Sequence, residues 1–161
     1  MFARPVSVGL AGCGYWGRNL ARNLFQMGHL GAVCDPSAKI LKEVKAAYKG
    51  VPASTRFEDL LADKKLAAVA IAAPAVEHHD LARRALLAGK DVFVEKPLAL
   101  KVPEAEELVE IARQKRRVLM VGHILEYHPA VRKLKEFVDA GELGEIHYVY
   151  SNRLNLGKVR H

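Results

Sequence analysis

The chain alternates between two hydrophobic rhythms. Short runs rich in β-branched residues recur at Val6–Gly12, Gly31–Asp35, Ala67–Ala73, Asp91–Glu95, Val118–Gly122 and Glu145–Ser151. Between them lie longer amphipathic stretches at Gly17–Met27, Ser37–Tyr48, Arg56–Ala62, Glu77–Ala88, Pro103–Gln114 and Pro129–Ala140. The first rhythm predicts strands and the second helices, because strand side chains repeat every two residues and helical ones every 3.6. A weak strand is expected at Val51–Ala53. Thr55 with Glu58 reads as a capping box, Pro103 suits a first helical turn, and Gly89 and Gly141 suit helix ends.

Runs such as Ala67-Ala68-Val69-Ala70-Ile71-Ala72-Ala73 are apolar at successive positions. A strand of that kind is covered on both faces, which means a parallel sheet between two layers of helices. The expected fold is therefore α/β, a doubly wound parallel sheet. The last run, Glu145–Ser151, is rich in tyrosine and reads as the opening strand of a second α/β domain. The expected division is a doubly wound first domain over residues 1–122, a connecting helix over 123–144 and that opening strand over 145–161.

The 161 residues carry a net charge of +7, and half of them are hydrophobic. The charge raises nucleic-acid binding as a possibility, and the motifs argue against it. The densest basic cluster, Arg113-Gln114-Lys115-Arg116-Arg117, falls where a helix ends and cations are favoured. No helix-turn-helix, RNA-recognition or zinc pattern accompanies it. No apolar run approaches the ~20 residues of a membrane helix. Cys13 and Cys34 are too few for a disulfide framework and lack metal-ligand spacing, so a cytoplasmic protein without a metal is expected.

Chemistry collects at the carboxyl ends of the predicted strands, where open α/β sheets bind ligands. The first strand runs into Gly12-x-Gly14-x-x-Gly17, with Tyr15 and Trp16 inside the loop and a helix directly after it. The first glycine allows a tight turn, the second lets a pyrophosphate approach, and the third lets helix and strand pack. The second strand ends in Asp35, roughly 20 residues on, where an acid accepts the ribose hydroxyls of an adenosine. The alternative is a plain glycine turn and an aspartate that caps the next helix; strand, loop, helix and acid in this order favour a dinucleotide. Asp35 repels a 2′-phosphate, which favours NAD over NADP, while Lys39 leaves NADP open.

Ala73-Pro74 with His78, Glu95-Lys96-Pro97, and Gly122-His123 end three further strands. Glu95 and Lys96 allow two readings: a structural ion pair, or a lysine that donates to a substrate oxygen beside a glutamate at the ribose or nicotinamide. His123 either satisfies a backbone carbonyl or, with Tyr127, touches substrate. His79 reads as a residue in a solvated helix start.

Taken together, VGLAGCGYWGRN, the acid in VCDPS, AAPAVEHHDLARRALLAGKDVFVEKPLAL and VGHILEYHPAVRKLKEFVDAGELGEI resemble the glucose–fructose oxidoreductase, inositol dehydrogenase and rhizopine catabolism (Gfo/Idh/MocA) family. The resemblance implies a Rossmann domain whose Lys96 lies beside the nicotinamide and assists proton transfer as a sugar hydroxyl is oxidised. It implies that Pro74 to His78 lines the cofactor cleft and that the Lys96–Pro97 peptide is cis. The C-terminal third is most similar to the branch acting on nucleotide sugars, the UDP-N-acetylglucosamine 3-dehydrogenases. Family members continue into a second domain carrying an Asp-x-x-x-His segment, the sugar pocket and the oligomer interface. The chain is therefore expected to be the cofactor half of a homo-oligomeric NAD-dependent sugar dehydrogenase, inactive alone. The competing expectation is a non-catalytic NAD(H)-binding module or sensor.

Overall fold

A computed structural model describes residues 6–152 and 154. Six strands form one parallel sheet: β1 (Val8–Ala11), β2 (Leu30–Cys34), β3 (Ala53–Ser54), β4 (Ala68–Ile71), β5 (Asp91–Val94) and β6 (Leu119–Val121). Their spatial order is β3-β2-β1-β4-β5-β6. Chain order therefore reverses between β1 and β4, whose registers pair Gly9 with Val69 and Ala11 with Ile71. A crevice opens at such a reversal, because the helices on either side of it leave in opposite directions.

Alternation along the strands divides the core in two. Ala11, Cys34, Val69, Ile71, Val92 and Val94 face one layer, with Leu60, Ala85, Leu86 and Leu108 from the helices. Leu10, Val33 and Ala70 face the other, with Ala21, Leu41 and Val44. Successive residues thus go to opposite cores, which is why these runs are apolar throughout. The helices are α1 (Gly17–Gln26), α2 (Ala38–Ala47), α3 (Phe57–Ala62), α4 (His78–Leu87) and α5 (Val102–Lys115). Ser37 caps α2 by accepting from the Ile40 amide at 3.3 Å. Pro103 lies in the first turn of α5, as its sequence position suggests.

The capping box expected at Thr55 and Glu58 does not form. Ser54, one residue earlier, accepts from the Arg56 amide at 3.0 Å and bonds the Asp59 carboxylate. Glu58 pairs instead with Arg84 of α4. A hydroxyl on the last residue of β3 reaches the helix entrance first, and the Glu58 carboxylate is held by its own backbone amide and by Arg84.

A second compact unit begins at Ile124. It comprises a 3-10 turn, Ile124–Tyr127, and α6 (Pro129–Asp139), which His128 caps by accepting from the Ala130 amide at 3.2 Å. The strand expected at Glu145–Ser151 is not formed: residues 145–151 have no regular structure, and Tyr148 and Tyr150 are exposed. A strand needs a partner for its amides and carbonyls, and residues 145–151 pair with no other strand among the described residues. Of the segment expected to open a second domain, 145–161, residues 153 and 155–161 lie outside the described part.

Candidate functional site

The glycine loop is built as its spacing demands. Gly12 has φ +88, a conformation that side chains disfavour, and a Cβ there would meet the Ala72 backbone at 2.7 Å. A Cβ on Gly17 would stand 1.9 Å from the Gly12 carbonyl oxygen, so the helix can seat against the loop only without one. A Cβ on Gly14 would meet nothing within 4 Å. Two glycines therefore serve the packing, and the middle one leaves room for something else. No side chain caps α1; the Arg18 and Asn19 amides turn back onto the Gly14 and Trp16 carbonyl oxygens at 3.1 and 2.9 Å, and the positive end of the helix dipole faces the loop.

Asp35 is buried at the end of β2 and ties two segments together. Its Oδ2 accepts from the Cys13 amide at 2.8 Å and its Oδ1 from the Ser37 amide at 2.9 Å. The aspartate thus locks the glycine loop to the α2 entrance, a duty that sequence position alone does not reveal. Each oxygen still has a lone pair for a further donor. Cys13 and Cys34 lie beside it. Burial, reinforced by the negative charge of Asp35, raises the Cys13 thiol to about 12 and the Cys34 thiol to about 11. Neither is a nucleophile at neutral pH.

A cleft of about 710 Å³ opens here, walled by Gly12, Gly14, Tyr15, Asp35, Ala73 and Pro74 from the expected set. Ile40, Thr55, Phe57, Glu77 and Leu81 are among its other walls. Sequence reading missed these five. Thr55 and Phe57 follow a strand end and were accessible to the strand-end rule, but β3 is only two residues long.

Trp16, Gly17, His78, Glu95, Lys96 and His123 are not in that wall. Several of them form a second group at the ends of β1, β4 and β5. The Trp16 indole Nε1 donates to Glu95 Oε1 at 2.6 Å, joining the glycine loop to the turn after β5. Gly122 leaves space for the same carboxylate, since a Cβ there would lie 3.1 Å from it. Glu95 and Lys96 therefore do not form an ion pair: the glutamate is buried on an indole, and the lysine is exposed. The Lys96–Pro97 peptide is cis.

His78 departs from the expectation that it lines the cleft. Its ring is 1% exposed, with Nδ1 2.6 Å from the Pro97 carbonyl oxygen and Nε2 2.9 Å from that of Ala73. His79 points elsewhere and pairs with Glu107 of α5 at 2.8 Å rather than standing alone in solvent. His123 is exposed just after β6, its amide bonded to Val121. Tyr127 belongs to the second unit, where the Arg132 guanidinium lies 5.5 Å from its ring centre.

A glycine cradle, a helix N-terminus, a buried aspartate and an elongated apolar cleft at the chain-order reversal suit a dinucleotide. Residues 6–123 match the oxidoreductase family, NAD-binding Rossmann fold (Gfo/Idh/MocA). The chain belongs to that family.

Within the family, the chain is 34% identical over 155 residues to the UDP-N-acetylglucosamine 3-dehydrogenase of Acidithiobacillus ferrooxidans, covering 96% of itself and 47% of that protein. The structure of scyllo-inositol dehydrogenase from Lactobacillus casei with bound NAD(H) and scyllo-inositol superposes with a TM-score of 0.82 at 26% identity. It covers 88% of this chain and 43% of that one. A 3-ketoreductase from Actinomadura kijaniata in complex with NADP and TDP-benzene gives 0.78 at 29% identity, over 86% and 43%. Family members thus use both nicotinamide dinucleotides. The chain spans less than half the length of these relatives. Among the described residues no helix is long and apolar enough to cross a membrane.

Proposed function

We propose that this chain is the cofactor half of a dehydrogenase that moves a hydride between NAD and a hydroxyl-bearing carbon of a sugar or nucleotide sugar. The observation that carries the reading is Lys96: an exposed side chain on a turn whose preceding residue is bonded to the glycine loop. A dinucleotide with its pyrophosphate on that loop and its adenosine toward Asp35 brings its other end to this turn. The activities of the relatives, on UDP-N-acetylglucosamine and scyllo-inositol, support a polyol or sugar substrate.

The bound nicotinamide supplies the hydride acceptor. The Lys96 ammonium donates a hydrogen bond to the reacting hydroxyl oxygen and steadies its negative charge as the proton leaves. The carbon loses a hydride to the nicotinamide, the oxygen loses its proton to a general base such as the histidine of the family's Asp-x-x-x-His segment, and a ketone results. His123 is the candidate for a sugar hydroxyl contact.

Asp35 sets the preference for NAD, because its carboxylate accepts from the ribose hydroxyls and repels a 2′-phosphate. Titration of NADH and NADPH against wild type and Asp35→Ala tests this. Loss of the Cys13 anchor weakens both cofactors, so the difference between them isolates the ribose contact. NADH is expected to lose at least tenfold more affinity than NADPH, from about two charge-assisted bonds. A larger loss for NADPH overturns the assignment. Absorbance at 340 nm with UDP-sugars, free sugars and inositols, run on this chain and on any longer form, then reads the substrate class.

A further inference from the structure

His78 is the one buried histidine of the strand-end group, and cofactor contact does not account for it. It opens α4, where nearly any residue can start a helix, yet its ring is turned inward. Both ring nitrogens meet backbone carbonyls from different strand ends: Ala73 after β4, and Pro97 directly after Lys96. A carbonyl only accepts, so each contact is a hydrogen bond while its own ring nitrogen carries a proton, and the imidazole stands between two strand ends that no helix hydrogen bond requires it to meet.

The other flank of Lys96 is held as well. Glu95 is fixed by the Trp16 indole and by the missing side chain at Gly122. Lys96 is therefore the free residue between two anchored ones. A lysine side chain turns about four bonds, so its ammonium reaches one point reproducibly only if its backbone does not wander. Catalytic geometry tolerates little displacement, since a 1 Å error costs ~10²-fold.

We propose that His78 is a positioning residue for Lys96, acting through the Pro97 carbonyl and bracing it against the end of β4. This rests on the reading above that Lys96 stands at the nicotinamide end of the cofactor.

The test uses charge rather than turnover. An ammonium beside the ring repels oxidised nicotinamide and not the reduced form, so the chain should prefer NADH over NAD+. NADH binding is followed by its own emission and NAD+ by competition. Lys96→Ala is expected to shrink the NADH preference by about three- to tenfold, the range for unit charges several ångströms apart in a partly wet site. His78→Leu, of similar bulk, is expected to remove most of the same preference. His78→Gln, which still donates to one carbonyl, should keep part of it. Adding Lys96→Ala to His78→Leu should remove only the small remainder.

Equal losses for NAD+ and NADH in His78→Leu would show a merely structural role and overturn the proposal. So would an unchanged preference in His78→Leu while Lys96→Ala lowers it. An unchanged preference in Lys96→Ala overturns the reading of Lys96 itself, and the positioning role with it. If His78→Leu does not fold, His78→Gln carries the comparison: a preference identical to wild type, together with unaltered melting, sinks it.

Discussion

The two ends of the sheet bury polar groups in opposite ways. At the amino ends of the strands Lys90, 6% exposed, sends its ammonium to the carbonyl oxygens of Asp63 and Leu66 at 2.6 and 2.8 Å. It is a cation closed in by acceptors, just where the loop after α3 enters β4. At the carboxyl ends Asp35 and Glu95 are anions held by amides and an indole. A charge closed in by the protein's own groups is spent on the fold. The carboxylates have acceptor capacity left over, and a cleft lies beside Asp35. Buried charge by itself does not mark a site; buried charge with unused bonding capacity does.

The largest effect is expected at the closed end. Lys90→Met keeps the bulk but leaves two buried carbonyls without a donor, which costs about 1–3 kcal/mol per group. Melting should fall by roughly 5–10 °C for a chain of this size, while NADH affinity measured well below the transition stays the same. A change in affinity without a change in melting would erase the contrast between the two ends.

The glycine loop sharpens the contrast inside a single motif. Gly17→Ala forces a Cβ against the Gly12 carbonyl, so stability is expected to drop by ~2–3 kcal/mol, with cofactor binding lost alongside. Gly14→Ala meets nothing within the protein, so the melting point should hold while NADH affinity falls about tenfold or more. Thermal melts and titrations on the pair separate the two duties. Equal melting points for both would refute the assignment.

Much of this was legible from sequence, for local reasons. The strands were visible because they are covered twice, and the glycine loop and Asp35 because their chemistry sits within about two dozen residues. The Trp16–Glu95 bond was not, since its partners are 79 residues apart and each has an ordinary explanation alone. The inward turn of His78 was hidden for a similar reason: its place after β4 reads as a cleft position until the folded chain brings the Pro97 carbonyl onto its ring. The Glu145–Ser151 run is a different case: without a partner it forms no strand and leaves Tyr148 and Tyr150 exposed. Its alternation is real, but a strand depends on a neighbour as much as on its own residues.

The smallest effect concerns the two thiols. Their folded values, about 12 for Cys13 and about 11 for Cys34, lie above the ordinary 9.0. Their contribution to stability is therefore complete below pH 9 and is lost as pH rises from 9 toward 11–12. Denaturant titrations of wild type and Cys13→Ala across pH 8–11 should show a shallower decline in the variant. A steeper decline would mean that the loop beside Asp35 is wetter than its packing indicates.

Trp16 is the single tryptophan of the chain, and it stands 41% exposed on the loop between β1 and α1 with its indole bonded to Glu95. Excited near 295 nm, where the five tyrosines scarcely absorb, the protein has one lamp, and it is mounted at the junction of its two strand-end groups. Its colour reports whether the indole N–H still meets a carboxylate. Its overlap with the absorption of reduced nicotinamide makes it a ruler to anything that settles in the cleft. Most proteins must be engineered to place a sole optical probe at such a point, whereas this one carries it in the native sequence.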